Sequence, residues 1–417
     1  MMETSSPTQD PNATAAGTTQ PAPTSDGPGA LPSLKTRLVE LALVCAKIGA
    51  TSFGSPTAHI AMMENEFVQR RHWLSEEHFL DLMSAANLIP GPNASETCYH
   101  VGYIRAGYPG LLTAGMAFIT PAFITTAALG WAYTRYGGLP AVEGIFYFLN
   151  PLVLAIVLDT TWRLGRFSIK GWQPVLIFAL SLVAKYFAVN ETLILLGAGV
   201  LGILIYYIKT QKRKDSPALP LMMVGLPLPL IGQFWQTATN WIQSRTLQVF
   251  LYFFKTGTVL FGSGLILFGL VEKDVTQRFG WLSVAQLTDA ISVGQITPGP
   301  VTSASTFIGY LAGGLPGAVA ATVGVFLPSF IIVMITAPMV NRMRESELAR
   351  AFLGGVNASV IALILAVAYT LGRSSLTDVW AFLLLGGGLL ALGKFKLMPY
   401  VLVVSGLVLG LVKAFIF

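Results

Sequence analysis

The chain is predicted to be an all-α polytopic membrane protein: two homologous, inverted repeats whose helices are broken or re-entrant. Three observations predict this. The apolar residues fall in runs of membrane length, one unit of the sequence recurs, and matched loops of the two units carry opposite charge bias.

Of 417 residues, 53% are apolar and only 11% are charged, against about 25% charged in ordinary soluble domains. A soluble fold cannot hide so much apolar surface. The apolar runs reach roughly 18–25 residues, the length that crosses a bilayer core as a helix. They show none of the alternation of transmembrane strands. The net charge of +6 does not point to nucleic acid, because the basic residues sit in short loops such as Lys209–Lys214, as cytoplasmic loops do.

Taken in order, residues 1–33 are rich in Pro, Thr, Ser, Ala and Gly. With no basic region ahead of an apolar core they are not a signal peptide, and they read as a disordered cytoplasmic tail. Residues 34–209 form the first repeat. Its first apolar run is interrupted at Phe53-Gly-Ser-Pro56, and the stretch Phe79–Tyr103 at Pro90-Gly-Pro-Asn93. Leu111–Tyr133, Val142–Thr161 and Thr192–Ile208 are long enough to span. Residues 210–245 hold a basic linker and the apolar segment Leu219–Trp241, long enough for one extra crossing. Residues 246–417 form the second repeat, with breaks at Phe261-Gly-Ser-Gly264 and Thr297-Pro-Gly-Pro300 and a further long run at Gly317–Pro338.

The repeat is in register over roughly a hundred residues. Lys47 falls on Lys255, Phe53-Gly-Ser55 on Phe261-Gly-Ser263, and Glu64 on Glu272. Trp73-Leu-Ser75 falls on Trp281-Leu-Ser283, Asp81 on Asp289, and Pro90-Gly-Pro92 on Pro298-Gly-Pro300. After the loss of one residue, Gly102-Tyr103 matches Gly309-Tyr310, Pro109-Gly110 matches Pro316-Gly317, Pro121 matches Pro328, and Asn150 matches Asn357. In the first repeat the basic loop is Arg163, Arg166 and Lys170, matched only by Arg373. One loop earlier the bias reverses, with Arg135 against Arg342, Arg344 and Arg350. By the positive-inside rule the halves are expected to face opposite ways, with two parallel halves as the alternative. The crossing at Leu219–Trp241 supplies the inversion, a common plan of secondary transporters.

Broken helices at matching positions of two halves are the sequence pointer to a transport site. Freed backbone groups at membrane depth are tolerated only inside protein or beside water. A half-helix starting after Pro92 or Pro300 presents free N–H groups and a positive dipole end, which suits an anion. The candidate anion-binding set is Lys47, Gly54, Ser55, Gly91, Pro92, Asn93, Ser95, Lys255, Gly262, Ser263, Gly299, Pro300, Thr302 and Ser303. Thr97 and Ser305 flank it, and the hydroxyls have the alternative role of helix caps. Lys47 and Lys255 are expensive in apolar runs; they either balance a dianion or snorkel to a surface.

Glu64, Glu272, Glu96 and His100 are candidates for proton coupling, since a partly buried carboxylate or a histidine can hold a proton near neutral pH. For the first two, as for Glu66, Asp274, Asp81 and Asp289, the alternative is a salt-bridged surface loop with Arg70 or Arg278. His59, His72 and His78 complete the histidines, all in the first repeat. Cys45 and Cys98 make no metal or disulfide pattern and read as small buried residues. No zinc-protease His-Glu-x-x-His or phosphate-binding Walker loop occurs. Gly262-Ser-Gly264 has no histidine partner in its half. The chain is therefore not expected to be an enzyme, and no cofactor or metal is expected.

Phe53-Gly-Ser-Pro-Thr-Ala-His-Ile-Ala61, Gln69-Arg-Arg-His-Trp-Leu74, Asn87-Leu-Ile-Pro-Gly-Pro-Asn93, Val293-Gly-Gln-Ile-Thr-Pro-Gly-Pro300 and Phe307-Ile-Gly-Tyr310 resemble the two-half chromate ion transporter family. The likeness runs over almost everything after residue 34. It departs at Ser55, where the family often has a second Gly, and in the long tail. The resemblance implies export of chromate across the inner membrane by a multi-pass carrier, giving chromate resistance. Energy would come from the proton-motive force or anion exchange. Sulfate is the natural competitor, and sulfate or another oxyanion as substrate, or an anion channel, is the alternative. The expected partners are the anion and the lipid bilayer, with a homodimer left open.

Overall fold

The computed structural model describes residues 32–52, 56–86, 89–211, 244–262, 264–339 and 347–416. Most of the tail, the candidate residues Gly54, Ser55 and Ser263, the segment Leu219–Trp241, and Arg342 and Arg344 lie outside the described residues.

The first half runs α1 (Leu34–Thr51), α2 (Pro56–Glu64, prolonged by a π turn Asn65–Arg70), α3 (Glu76–Ala86), β1 (Gly91–Pro92), α4 (Asn93–Tyr136), α5 (Pro140–Ser168), α6 (Trp172–Tyr186) and α7 (Glu191–Gln211). The second half repeats the plan. It runs α8 (Arg245–Thr258), β2 (Phe261–Gly262), α9 (Ile266–Lys273, with a π turn Asp274–Arg278), α10 (Val284–Ile296), a 3-10 turn (Val301–Ser303) and α11 (Ala304–Thr336). It ends with α12 (Glu347–Ser375), α13 (Val379–Gly393) and α14 (Pro399–Ile416). Among the described residues, five helical segments are long and apolar enough to span a bilayer: Asn93–Tyr136, Pro140–Arg166, Glu191–Thr210, Val301–Thr336 and Glu347–Ser375.

The motifs account for the helix ends. Ser75 of the Trp-Leu-Ser step accepts a hydrogen bond from the His78 amide. Its counterpart Ser283 closes a capping box with Gln286 at the start of α10, satisfying amides that a helix start leaves without partners. The tryptophans of the two steps stack on Phe67 and Phe279, and arginines lie over both of them.

The breaks produce hairpins rather than kinks. Glu66 meets Lys47 and Arg71 meets Glu40, so α2 runs back along α1. The long helix α4 reverses at Ala106 and Gly107 (φ 62°), and α11 reverses at the matching Gly313 and Gly314 (φ 64°). Such positive φ values suit glycine, which has no Cβ to clash. The two arms of α4 are in backbone contact through Gly102 and Gly110, as those of α11 are through Gly309 and Gly317. The Cys98 thiol reaches the Ala114 carbonyl (3.7 Å). Each half thus sends two hairpins to the centre, α1–α2 and α3 with the short arm of α4. One full-length arm then crosses the whole structure.

Equivalent helices run antiparallel across the centre. Gly165 of α5 faces Ile361 of α12, while Leu154 faces Gly372, so each contact recurs with the halves exchanged. Gly115 on the long arm of α4 lies against Phe330 on the long arm of α11, and Gly130 lies against Tyr310 on the short arm. A two-fold axis that relates antiparallel membrane helices lies across them, which makes this an inverted repeat. Accordingly α7 ends beside the start of α12, where the Tyr206 hydroxyl bonds to Glu347. Helix α8 instead starts beside the α11 reversal, with Arg245 against Gly313. These two ends are on opposite faces. The outer surface is apolar, with Met116, Ile124, Val323, Ile331 and Phe382 exposed, as a lipid-facing surface should be. Inside, close packing of small residues holds the helices together, because apolar burial gives little net drive between helices in lipid.

Candidate functional site

All the described hairpin tips meet at the centre, and they are bonded across the halves. The Gly91 amide donates to the Leu260 carbonyl (2.5 Å), and the Gly299 amide donates to the Ser52 carbonyl (2.8 Å). Gly91 matches Gly299 and Ser52 matches Leu260, so one bond is the image of the other. Beta strands β1 and β2 add a two-residue parallel ladder, Gly91 with Phe261 and Pro92 with Gly262. His59 Nε2 bonds to the Gly299 carbonyl (2.8 Å), a contact between halves that the one-sided distribution of histidines did not suggest. Gly264 packs on Val301 and Thr302, which joins the second half's two tips to each other.

The short arm of α4 starts at this junction and brings Ser95, Glu96 and Tyr99 to it, all fully buried. The Ser95 hydroxyl and both Glu96 carboxyl oxygens have no hydrogen-bond partner. Any Cβ on Gly91 would strike the Glu96 carboxyl and approach the Ser329 side chain (2.6 Å). The carboxyl is therefore laid directly on the Pro-Gly-Pro tip. The Tyr99 hydroxyl stands beside those of Ser95 and Ser329, its ring stacked on Phe330 (4.2 Å). Across the two-fold, Thr302 is fully buried with an unpartnered hydroxyl, and Ser303 lies 3.5 Å from the Thr126 hydroxyl.

Other candidates sit elsewhere. Lys47 is on the exposed face of α1, bridged to Glu66 (2.6 Å), which also takes Arg70 (2.9 Å) and Arg71 (3.4 Å). It does not converge on the buried hydroxyls, and a partner already answers its charge. Lys255 is half-buried amid the charges of Asp274, Arg278 and Glu191. Glu272 takes the Thr370 hydroxyl (2.7 Å) and lies 3.6 Å from Lys185. Glu64 ends α2, where the hairpin nears the face.

Asp289 accepts hydrogen bonds from Tyr133 (2.7 Å) and Asn150 (2.9 Å), a clasp between the halves. The Thr97 hydroxyl donates back to the Asn93 carbonyl (2.8 Å), one turn earlier in the same helix, rather than capping the helix start. His100 Nδ1 meets the Glu96 carbonyl (2.8 Å), while Nε2 is buried without a partner. The cysteines are buried and close, Sγ to Sγ 3.4 Å, which their spacing of 53 residues did not show. No cluster of metal ligands occurs among the described residues.

Tyr99 and Ser329 escaped the sequence reading. Ser329 follows Pro328, whose match to Pro121 was visible, but nothing local shows that the long arm returns past the opposite tip. Chemically, the junction offers helix-start amides, hydroxyl donors and one carboxyl in a buried setting, with no cation bonded to that carboxyl.

Known proteins give the same outline. The family model described as "Chromate transporter" matches twice, over residues 39–203 and 247–411. A probable chromate transport protein of Synechococcus elongatus is 33% identical over 89% of this chain and 94% of its own. Chromate transport proteins of Cupriavidus metallidurans (30%, 97% of each chain) and Pseudomonas aeruginosa (30%, 76% of this chain and 77% of its own) are also similar. No solved structure matches the chain.

Proposed function

The chain belongs to the chromate transporter family, and we propose that it is a secondary carrier exporting chromate across the inner membrane and so conferring chromate resistance. The observation that carries this reading is the junction of hairpin tips. Four breaks from two inverted halves are bonded to one another around buried hydroxyls that have no partner of their own.

A tetrahedral dianion needs many donors when stripped of water. Ser95, Thr302, Ser303 and Tyr99 supply hydroxyls, and the short arms starting at Asn93 and Val301 supply amides and dipole ends. Gly91, Pro92, Gly299 and Pro300 shape the tips, with Gly262 beside them; Gly54, Ser55 and Ser263 belong to the same breaks by sequence. Inversion gives the two faces equal access in turn.

The face with Arg37, Arg70, Arg105, Arg166, Lys170 and Lys209 is assigned to the cytoplasm and that with Arg135, Arg245, Arg278 and Arg373 to the outside, by the positive-inside rule. An inside-negative potential of 100 mV then favours outward movement of two negative charges by about 4.6 kcal/mol, at about 2.3 kcal/mol per charge. Anion exchange or the proton-motive force completes the cycle.

The test is uptake of radiolabelled chromate, against labelled sulfate, into everted vesicles with and without an uncoupler. Saturable chromate uptake that falls with the uncoupler supports the reading. Preferred uptake of sulfate moves the assignment to sulfate, and non-saturating flux moves it to a channel.

A further inference from the structure

We propose that Glu96 is a proton switch in the anion site: the dianion binds only while the Glu96 carboxyl carries a proton, so binding takes up a proton wherever the empty site has lost it. This rests on the oxyanion reading above and adds to it a residue and a sign.

Glu96 lies one turn into the short arm of α4, fully buried, with neither carboxyl oxygen bonded to anything. Its carboxyl is pressed on Gly91 of the Pro-Gly-Pro tip, at the start of the helix proposed to meet the anion. Its own arm carries Tyr99, beside it, and His100, whose Nδ1 is engaged with the Glu96 carbonyl; Cys98, Tyr103 and Arg105 on the same arm are turned to Cys45, Tyr108 and Glu40. Strand β1 brings Gly91 and the long arm of α11 brings Ser329 and Phe330, none of them titratable. Helix α2 brings His59 to the adjoining Gly299 carbonyl. No lysine or arginine among the described residues is hydrogen-bonded to the carboxyl.

A bare carboxylate there has no counter-charge, and it would face a dianion across a water-poor space where like charges repel strongly. With a proton, the same group becomes a hydrogen-bond donor aimed into the site, and a bond from a neutral acid to an oxyanion is charge-assisted. The fold also makes the switch single. Counting back six residues from the matched Gly102 and Gly309 puts Ser303 opposite Glu96 and Phe307 opposite His100. One half of an otherwise two-fold site therefore carries the titratable groups, and the other carries a hydroxyl and an aromatic ring.

The experiment is calorimetric titration of the purified full-length protein with sulfate and with chromate. It is run in buffers of different ionisation heat across pH 6–9, roughly the range around neutrality where a buried carboxyl can titrate. Wild type and Glu96→Gln are compared, with His100→Gln as a second variant and a thermal melt to check folding. Wild type is expected to bind without proton uptake at low pH and, above the pH at which the carboxyl of the empty site titrates, to take up one proton per anion and lose affinity by about tenfold per pH unit. Glu96→Gln, which mimics the protonated acid, is expected to bind without proton uptake and with a flat sulfate profile. Because chromate itself takes up a proton near neutrality, its comparison is the difference between wild type and variant.

Proton uptake that survives in Glu96→Gln overturns the proposal. So does uptake that is lost in His100→Gln and kept in Glu96→Gln, which would put the proton on the imidazole. Failure of the folded wild type to bind either anion at any pH overturns the oxyanion reading itself, and the switch with it.

Discussion

Lys47 and Glu96 both break the apolar pattern of their helices, and the fold treats them in opposite ways. Lys47 faces outward and is met by Glu66 at 2.6 Å, whereas Glu96 faces inward with no hydrogen-bond partner for its carboxyl. The sequence marked Lys47 as costly and Glu96 as a candidate for proton coupling. It did not show which had a partner, because Glu66 reaches Lys47 only after the chain reverses between α1 and α2. Lys47 is half exposed, and the buried Glu66 keeps Arg70 and Arg71 when Lys47 is removed, so the loss should stay within the range of an exposed pair, about 0–1 kcal/mol. Lys47→Gln is therefore expected to leave the apparent chromate KM within about twofold of wild type and to lower the melting temperature slightly, with about 0.5 kcal/mol typical of a surface change. Vesicle uptake and a thermal melt measure the two. A tenfold rise in KM would return Lys47 to the anion site.

At the scale of elements, the hairpin is the working unit. Its tip conformation is visible in the sequence as Pro-Gly-Pro, since Pro and Gly at membrane depth announce a break. The reversal is not visible, because the same residues permit a kink that continues across. What decides it is contact at a distance, such as Glu66 against Lys47 across the α1–α2 break, and the partner for each tip comes from the other half. Gly91 tests this unit. Its φ of 149° disfavours any side chain, and a Cβ would drive into Glu96 and Ser329. Gly91→Ala is expected to lower the melting temperature and abolish transport, at a cost above about 1 kcal/mol. Gly197 in α7 has open space around it, so Gly197→Ala should instead be neutral or stabilise by about 0.5–1 kcal/mol. Equal behaviour of the two variants would remove the special role given to the tip.

At the scale of the whole molecule, two copies of one plan face opposite ways and share one centre. The two-repeat plan was legible from matched motifs, and the inversion from loop charges such as Arg163, Arg166 and Lys170 against Arg373. The contacts of Gly165 with Ile361 and of Leu154 with Gly372 give the inversion its geometry. The junction was only half legible: Ser95 and Thr302 were marked by their place after the tips, whereas Ser329 and Tyr99 needed the fold. Cysteines placed at the exposed positions 166 and 373 should be labelled by an impermeant reagent from opposite sides, the native Cys45 and Cys98 being buried. Labelling of both from one side contradicts the inverted arrangement.

The central claim is that an oxyanion is held where the tips of both halves meet, and the most direct measurement is chromate uptake by the double variant Ser95→Ala/Thr302→Ala. Each change removes one buried, unpartnered hydroxyl, one from each half. A hydrogen bond to a charged group contributes about 1.5–3 kcal/mol, so losing two should raise the apparent KM by at least about tenfold while the melting temperature stays near wild type. A double variant that is folded, present in the membrane at the wild-type level and unchanged in KM would contradict the account.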